Sequence, residues 1–133
     1  MLDPANRCLL GVLTMFLQET ERPNSCTVNV YETGNWVPGH IDNKAFSRPF
    51  GSVSLCSVQE IVFGRNIARG GDGHFQDERL FRLKMPLGSF VKLESTAADM
   101  VQHALPATDD FRISLTFRRL PNLDECSKAK QAL

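Results

Sequence analysis

No stretch of this 133-residue chain approaches the ~18 consecutive apolar residues that a membrane-spanning helix needs. Net charge is also missing, because 15 basic residues balance 15 acidic ones, so the overall balance favours no class of partner. The four cysteines include no C-x-x-C pair, which argues against a zinc ribbon and against a dense disulfide scaffold and fits a reducing compartment. The apolar run from Cys8 to Leu17 has the length of a signal-peptide core. However, Asp3 cancels Arg7 ahead of it, and no small-x-small cleavage site follows. Repeats and low-complexity tracts are absent. Histidine is scarce as well: His40, His74 and His103 are the full supply.

What is present is one domain's worth of ordinary globular composition, 42% hydrophobic and 23% charged. Asp3-Pro4 has the form of a helix start, with Asp3 as N-cap and Pro4 at the first helical position. Leu9, Leu10, Leu13, Phe16 and Leu17 then recur at helical spacing, so residues 1–22 are expected to form an amphipathic helix packing on the core. After Pro23 the pattern changes to short strands separated by turns. Val28 and Val30 alternate with Asn29 and Tyr31, and Phe50–Cys56, Glu60–Phe63, Arg79–Lys84 and Ser89–Leu93 are β-rich. The last strong strand is Phe111–Arg118. Seven or eight short strands after one helix predict a mainly β domain, a sandwich or barrel, over residues 26–120, with a tail over 121–133.

His40-Ile41-Asp42 is the first candidate for chemistry. On an extended segment, residues i and i+2 point the same way, so an imidazole and a carboxylate converge. A second histidine would complete a two-histidine, one-carboxylate face that leaves positions open on a non-haem iron. His74 lies in the glycine-rich loop Gly64–Gly73 and its flank, a setting for a surface histidine. His103 stands nine residues before Arg112, close enough for a short hairpin to set it beside the last strand, and is the expected third ligand. In that strand Arg112, Ser114, Thr116 and Arg118 share one face, and Ile113, Leu115 and Phe117 the other. The polar face suits the wall of a wet cavity, and its two arginines offer forks for carboxylates. Six residues of strand span ~20 Å, however, so the two guanidiniums would have to lean inward from opposite ends. Asn29 and Tyr31 share a face of their strand and offer an amide and a phenol to the same cavity.

The ordered set Asn29-x-Tyr31, His40-x-Asp42, His103 and Arg112-x5-Arg118 resembles the AlkB family of Fe(II)- and 2-oxoglutarate-dependent dioxygenases. The segments from Val28 to Gly64 and from Met85 to Arg118 are most similar to the plant-type homologues, which act as RNA N6-methyladenosine demethylases. The resemblance implies a double-stranded β-helix (jelly roll). It also implies that His40, Asp42 and His103 hold Fe(II). Arg112 would pair with the distal carboxylate of 2-oxoglutarate, assisted by Tyr31 and Ser114, while Arg118 and Asn29 serve the iron-proximal carboxylate. O2 would be the oxidant, methylated single-stranded RNA the partner, and the nucleus or cytoplasm the location.

Some features depart from the family. Its members carry a longer region ahead of the first core strand, with loops that grip the base, where this chain offers one expected helix. Gly39 stands where proline is common, and Glu94-Ser95-Thr96 replaces a glycine-rich turn. Trp36, Phe46 and Phe50 lie near the metal motif and are candidates for stacking surface as well as for core. Two alternatives to demethylation follow: a regulatory module that keeps the core without turnover, or a related oxygenase acting on protein or a small molecule.

Overall fold

The computed structural model describes residues 18–68 and 71–121. The expected N-terminal helix therefore lies outside the described residues apart from a 3-10 turn at Glu19–Glu21, and so does all but the first residue of the expected tail. Eight strands follow among the described residues: β1 (Ser25–Tyr31), β2 (Val37–His40), β3 (Phe50–Leu55), β4 (Gln59–Gly64), β5 (Phe81–Met85), β6 (Phe90–Leu93), β7 (Gln102–Leu105) and β8 (Arg112–Arg118). One short helix, α1 (Ser95–Asp99), joins β6 to β7 and occupies the position of the departing Glu94-Ser95-Thr96 sequence.

The strands form two four-stranded sheets, ordered β1-β8-β3-β6 and β2-β7-β4-β5, with every pairing antiparallel. Successive strands alternate between the two sheets except for the adjacent pair β4 and β5, a jelly-roll order, so the domain is a double-stranded β-helix. The expected hairpin between His103 and β8 does not exist. β7 instead lies in the opposite sheet, between β2 and β4. In that register His103 faces His40 directly, so the pairing of β2 with β7 within one sheet, not a hairpin, sets the two histidines side by side.

The β1-β8-β3-β6 sheet is apolar outside and polar inside. Val28, Leu115 and Val53 stand in one register row on its outer face, and Val53 and Phe117 anchor a cluster there with Leu55, Phe90 and Leu115. The alternate residues Asn29, Ser114 and Ser54 form a row turned toward the other sheet. Arg112, Ser114 and Thr116 are buried accordingly, while Val28 and Val30 are exposed. The outer face of the β2-β7-β4-β5 sheet is covered by the segment after β4, through Val62, Ile67, Phe75 and Ala104 with Trp36 and Leu80. Burial of Val62 and Ile67 contributes roughly 1.5–3 kcal/mol each. Gly39 belongs to this packing: a Cβ there would stand 2.6 Å from Ile67 Cβ, so the strand that carries His40 can approach Ile67 only as glycine. Among the described residues, no helix is long and apolar enough to cross a membrane.

Candidate metal centre

Between the sheets lies a cavity of about 190 Å³, with two chemically different ends. At its mouth the side chains of His40, Asp42 and His103 converge, and one ligand atom from each lies within 4.8 Å of the others. His40 closes β2, whereas Ile41 and Asp42 have already left the strand. The carboxylate nonetheless reaches the imidazole, with His40 Nε2 3.3 Å from Asp42 Oδ1 and His103 Nε2 3.6 Å from the same oxygen. The two rings stand 4.3 Å apart between centroids, inclined at 52°. His74 is in the exposed loop beside Asp72, away from this cluster.

The electrostatics of the cluster suit a cation. His40 Nδ1 lies 2.9 Å from the Pro38 carbonyl and donates to it, which aims the Nε2 lone pair at the centre. The bond to Asp42 raises the His40 imidazole above its ordinary value, against the effect of burial. Burial would raise the Asp42 carboxyl, but the bonds from His40 and Arg118 outweigh it and hold the group well below the usual carboxylate range. Burial, followed by the neighbouring His40, pushes the His103 imidazole down to about 4, so this ring is neutral at neutral pH. Two nitrogen donors and an ionised, buried oxygen thus face one point. A metal cation there would be held by the same His40 Nε2 and Asp42 Oδ1 atoms that otherwise lie 3.3 Å apart. Two imidazoles and one carboxylate form the donor set of a non-haem iron face, and the residues present fit that group.

The far end of the cavity is built by β1, β3 and β8. Arg112 is 2% exposed; its Nε donates to Ser54 Oγ at 3.1 Å, and its guanidinium carbon lies 4.9 Å from the centre of the Tyr31 ring. Its Nη1 is buried without a hydrogen-bond partner. Among the described residues, no acidic side chain lines this end of the cavity. A buried guanidinium without a counter-charge is costly unless an anion completes it, and a ligand carboxylate fits this end. Asn29 Nδ2 donates to Ser114 Oγ at 3.3 Å and Thr116 Oγ1 at 3.4 Å, so the expected amide, phenol and hydroxyl do meet on one wall.

Both arginines line the cavity, and Arg118 has a partner that the sequence did not indicate: its Nε donates to Asp42 Oδ2 at 2.6 Å, beside the Phe46 ring at 5.0 Å. The span of the strand separates them, so Arg118 serves the carboxylate of the cluster and Arg112 the far end. Trp36 and Phe50 offer no stacking surface. Trp36 packs edge-on against Phe75 at 6.1 Å, and Phe50 is 2% exposed. Sequence reasoning passed over Ser54 and the Pro38 carbonyl. Ser54 was legible, since Ser52 and Ser54 alternate with Val53 and Leu55 as the polar and apolar faces of β8 do; the Pro38 carbonyl carries no side-chain pattern.

Comparison with known proteins adds relatives to this geometry. No family model matches the chain. The RNA demethylase ALKBH9B of Arabidopsis thaliana is 41% identical over 98 residues, covering 74% of this chain and 19% of that protein. The RNA demethylase ALKBH10B of the same plant is 27% identical over 104 residues, 78% of this chain and 18% of that protein. The chain therefore spans about a fifth of the length of these relatives. Among solved structures, OsALKBH1 superposes with a TM-score of 0.51 at 16% identity over 73% of this chain and 48% of that one. CapF superposes with the same score at 12% identity over 77% and 26%. At such identities the two structures establish the fold alone.

Proposed function

The chain belongs to the AlkB family, among its plant-type homologues, and on that premise we propose that it is an Fe(II)- and 2-oxoglutarate-dependent oxygenase that demethylates N-methylated bases in RNA, N6-methyladenosine first among them. The observation that carries the reading is the two-ended cavity, with the His40–Asp42–His103 cluster at the mouth, Asp42 and His103 buried and His40 partly exposed, and the Arg112 guanidinium without a counter-charge at the far end. The RNA part rests on the two plant relatives, which are named as RNA demethylases.

In this reading His40, Asp42 and His103 would hold Fe(II), and the metal with 2-oxoglutarate and O2 would supply the oxidation of an N-methyl carbon, yielding succinate, CO2 and formaldehyde. The protein's share is placement. Arg112, held by Ser54 and faced by Tyr31, receives the distal carboxylate of the co-substrate and so directs its other end toward the mouth. Ser114, Thr116 and Asn29 line the intervening wall with donors and acceptors. Arg118 holds Asp42 Oδ2, which leaves Oδ1 aimed at the two imidazoles. The apolar wall of Ile61, Met85, Val91, Leu93 and Leu105 keeps the cavity floor dry.

The test is turnover against a panel of methylated oligonucleotides, scored by formaldehyde and succinate, with Asp42→Ala as the inactive control. Formaldehyde release from N6-methyladenosine RNA is expected. Metal and 2-oxoglutarate binding with no release from any methylated RNA would refute the demethylase assignment, and succinate production stimulated by peptide alone would move it to another oxygenase class.

A further inference from the structure

Arg48 lies outside both the cluster and the cavity lining, yet its guanidinium is the most heavily engaged group beside them. Its Nη2 donates to the Asp42 carbonyl at 2.9 Å, and its Nη1 to the Phe46 carbonyl at 2.7 Å and the Asn43 carbonyl at 3.3 Å. On the other side, Nε donates to Asp99 Oδ1 at 3.1 Å. The guanidinium carbon also sits 5.2 Å from the centre of the Phe50 ring, itself 6.2 Å from the His103 ring. With 15% of its side chain exposed, Arg48 is largely withdrawn from water, and its bonds are correspondingly strong.

The placement of its partners gives this arrangement a function. The three carbonyls belong to the loop that begins at Asp42. Asp99 ends α1, after which the chain turns directly into β7 and His103. One planar fork therefore ties together the two segments that deliver two of the three cluster side chains from separate parts of the sequence. Asp42 is then held at both ends, its carboxylate by His40 and Arg118 and its backbone carbonyl by Arg48.

We propose that Arg48 is a positioning residue for the metal centre, a strut that sets Asp42 against His103. The proposal rests on the metal-centre reading above. Arginine is required because bonds must leave one rigid plane in different directions, toward three carbonyls and a carboxylate, and a lysine ammonium cannot hold that pattern. Supporting groups of this kind act on metal affinity without touching the metal.

The experiment titrates Co(II) into the folded chain and its Arg48→Met, Arg48→Lys and Asp99→Asn variants, following the visible ligand-field spectrum together with near-ultraviolet circular dichroism of the apo form. Arg48→Met is expected to raise the Co(II) Kd about 10- to 100-fold and to alter the spectrum. Asp99→Asn should shift both in the same direction by several-fold, and Arg48→Lys should not restore wild-type behaviour. A wild-type Kd and spectrum in folded Arg48→Met would overturn the proposal. Full rescue by lysine would overturn it too, because charge alone would then suffice. If Arg48→Met does not fold, Asp99→Asn decides: its carboxylate is half exposed and makes one bond to Arg48, and unchanged Co(II) binding there refutes the strut. Failure of the wild-type chain to bind Co(II), or undiminished binding by His40→Ala, would instead remove the metal centre itself, a result distinguishable from failure of Arg48 alone.

Discussion

Replacing Arg112 with methionine separates a ligand-binding role from a structural one, because the two predict opposite results. In the protein alone, Arg112 bonds to Ser54 and to the Tyr31 side chain, while its Nη1 is buried and unpaired. Such an unpaired group costs about 1–3 kcal/mol, and methionine abolishes that cost while losing the Ser54 and Tyr31 bonds and some volume. These effects oppose one another, so the stability of the variant without ligand should change by less than ~1 kcal/mol. Co-substrate binding behaves differently. A charge-assisted bond contributes about 1.5–3 kcal/mol, so its loss weakens 2-oxoglutarate about 10- to 150-fold. At a concentration 100-fold above the wild-type Kd, bound ligand stabilises the protein by about 2.7 kcal/mol; with the Kd raised 100-fold, the same concentration gives about 0.4 kcal/mol. The increment in Tm should therefore fall from roughly 10 °C to about 2 °C, at ~4 °C per kcal/mol. Thermal unfolding with Mn(II) in all samples, with and without 2-oxoglutarate, measures both quantities. An undiminished increment, or a collapse of the ligand-free Tm, would show that Arg112 is a structural cation and refute the co-substrate assignment.

His40→Ala and His103→Ala should each abolish the visible charge-transfer band that anaerobic Fe(II) and 2-oxoglutarate are expected to give; its persistence in both variants would remove these residues from the ligand set. Gly39→Ala should destabilise the fold by about 1–3 kcal/mol and weaken metal binding, because the new Cβ meets the root of Ile67 and pushes on the residue before His40. Chemical denaturation reads the first effect and Co(II) titration the second; wild-type values in both would show that β2 yields freely. Ile67→Ala alone should cost about 2–5 kcal/mol in the same denaturation assay, since Ile67 is 5% exposed within a packed cluster. Combined with Gly39→Ala it should cost close to the sum, because alanine keeps the Cβ that the added methyl meets at 2.6 Å.

Much of the fold was legible because alternation is a local property of a strand. Arg112, Ser114, Thr116 and Arg118 set against Ile113, Leu115 and Phe117 were enough to expect a polar inner wall, and burial follows that pattern from Arg112 to Thr116. β2 and β7 were harder, each being four residues long and interrupted by Pro38, Gly39 or His103. Five-residue α1 is too short for helical periodicity to declare itself. The stacking roles considered for Trp36 and Phe50 fell because proximity in sequence to His40 says nothing about which side of a sheet a ring occupies. Trp36 lies with the cluster covering the outer face, and Phe50 is buried with Leu93 and Ala98.

By itself the sequence determined which groups were available: three imidazoles, an H-x-D pair, a strand bearing two arginines on one face, and the order in which they occur. That order, with residue types at strand spacing, was sufficient for the family and for a mainly β architecture. Only the tertiary structure decided which of these groups meet. His40 and His103 are adjacent because β2 pairs with β7 although the two residues stand 63 positions apart in sequence, a non-local choice that no local pattern encodes. The same closure put Arg118 on Asp42, set Arg112 at the far end of the cavity with its Nη1 unpaired, and brought Arg48 between the Asp42 loop and α1. Pairing between strands distant in sequence depends on the packing of all eight strands together, whereas the side on which a residue stands depends only on its place in its own strand.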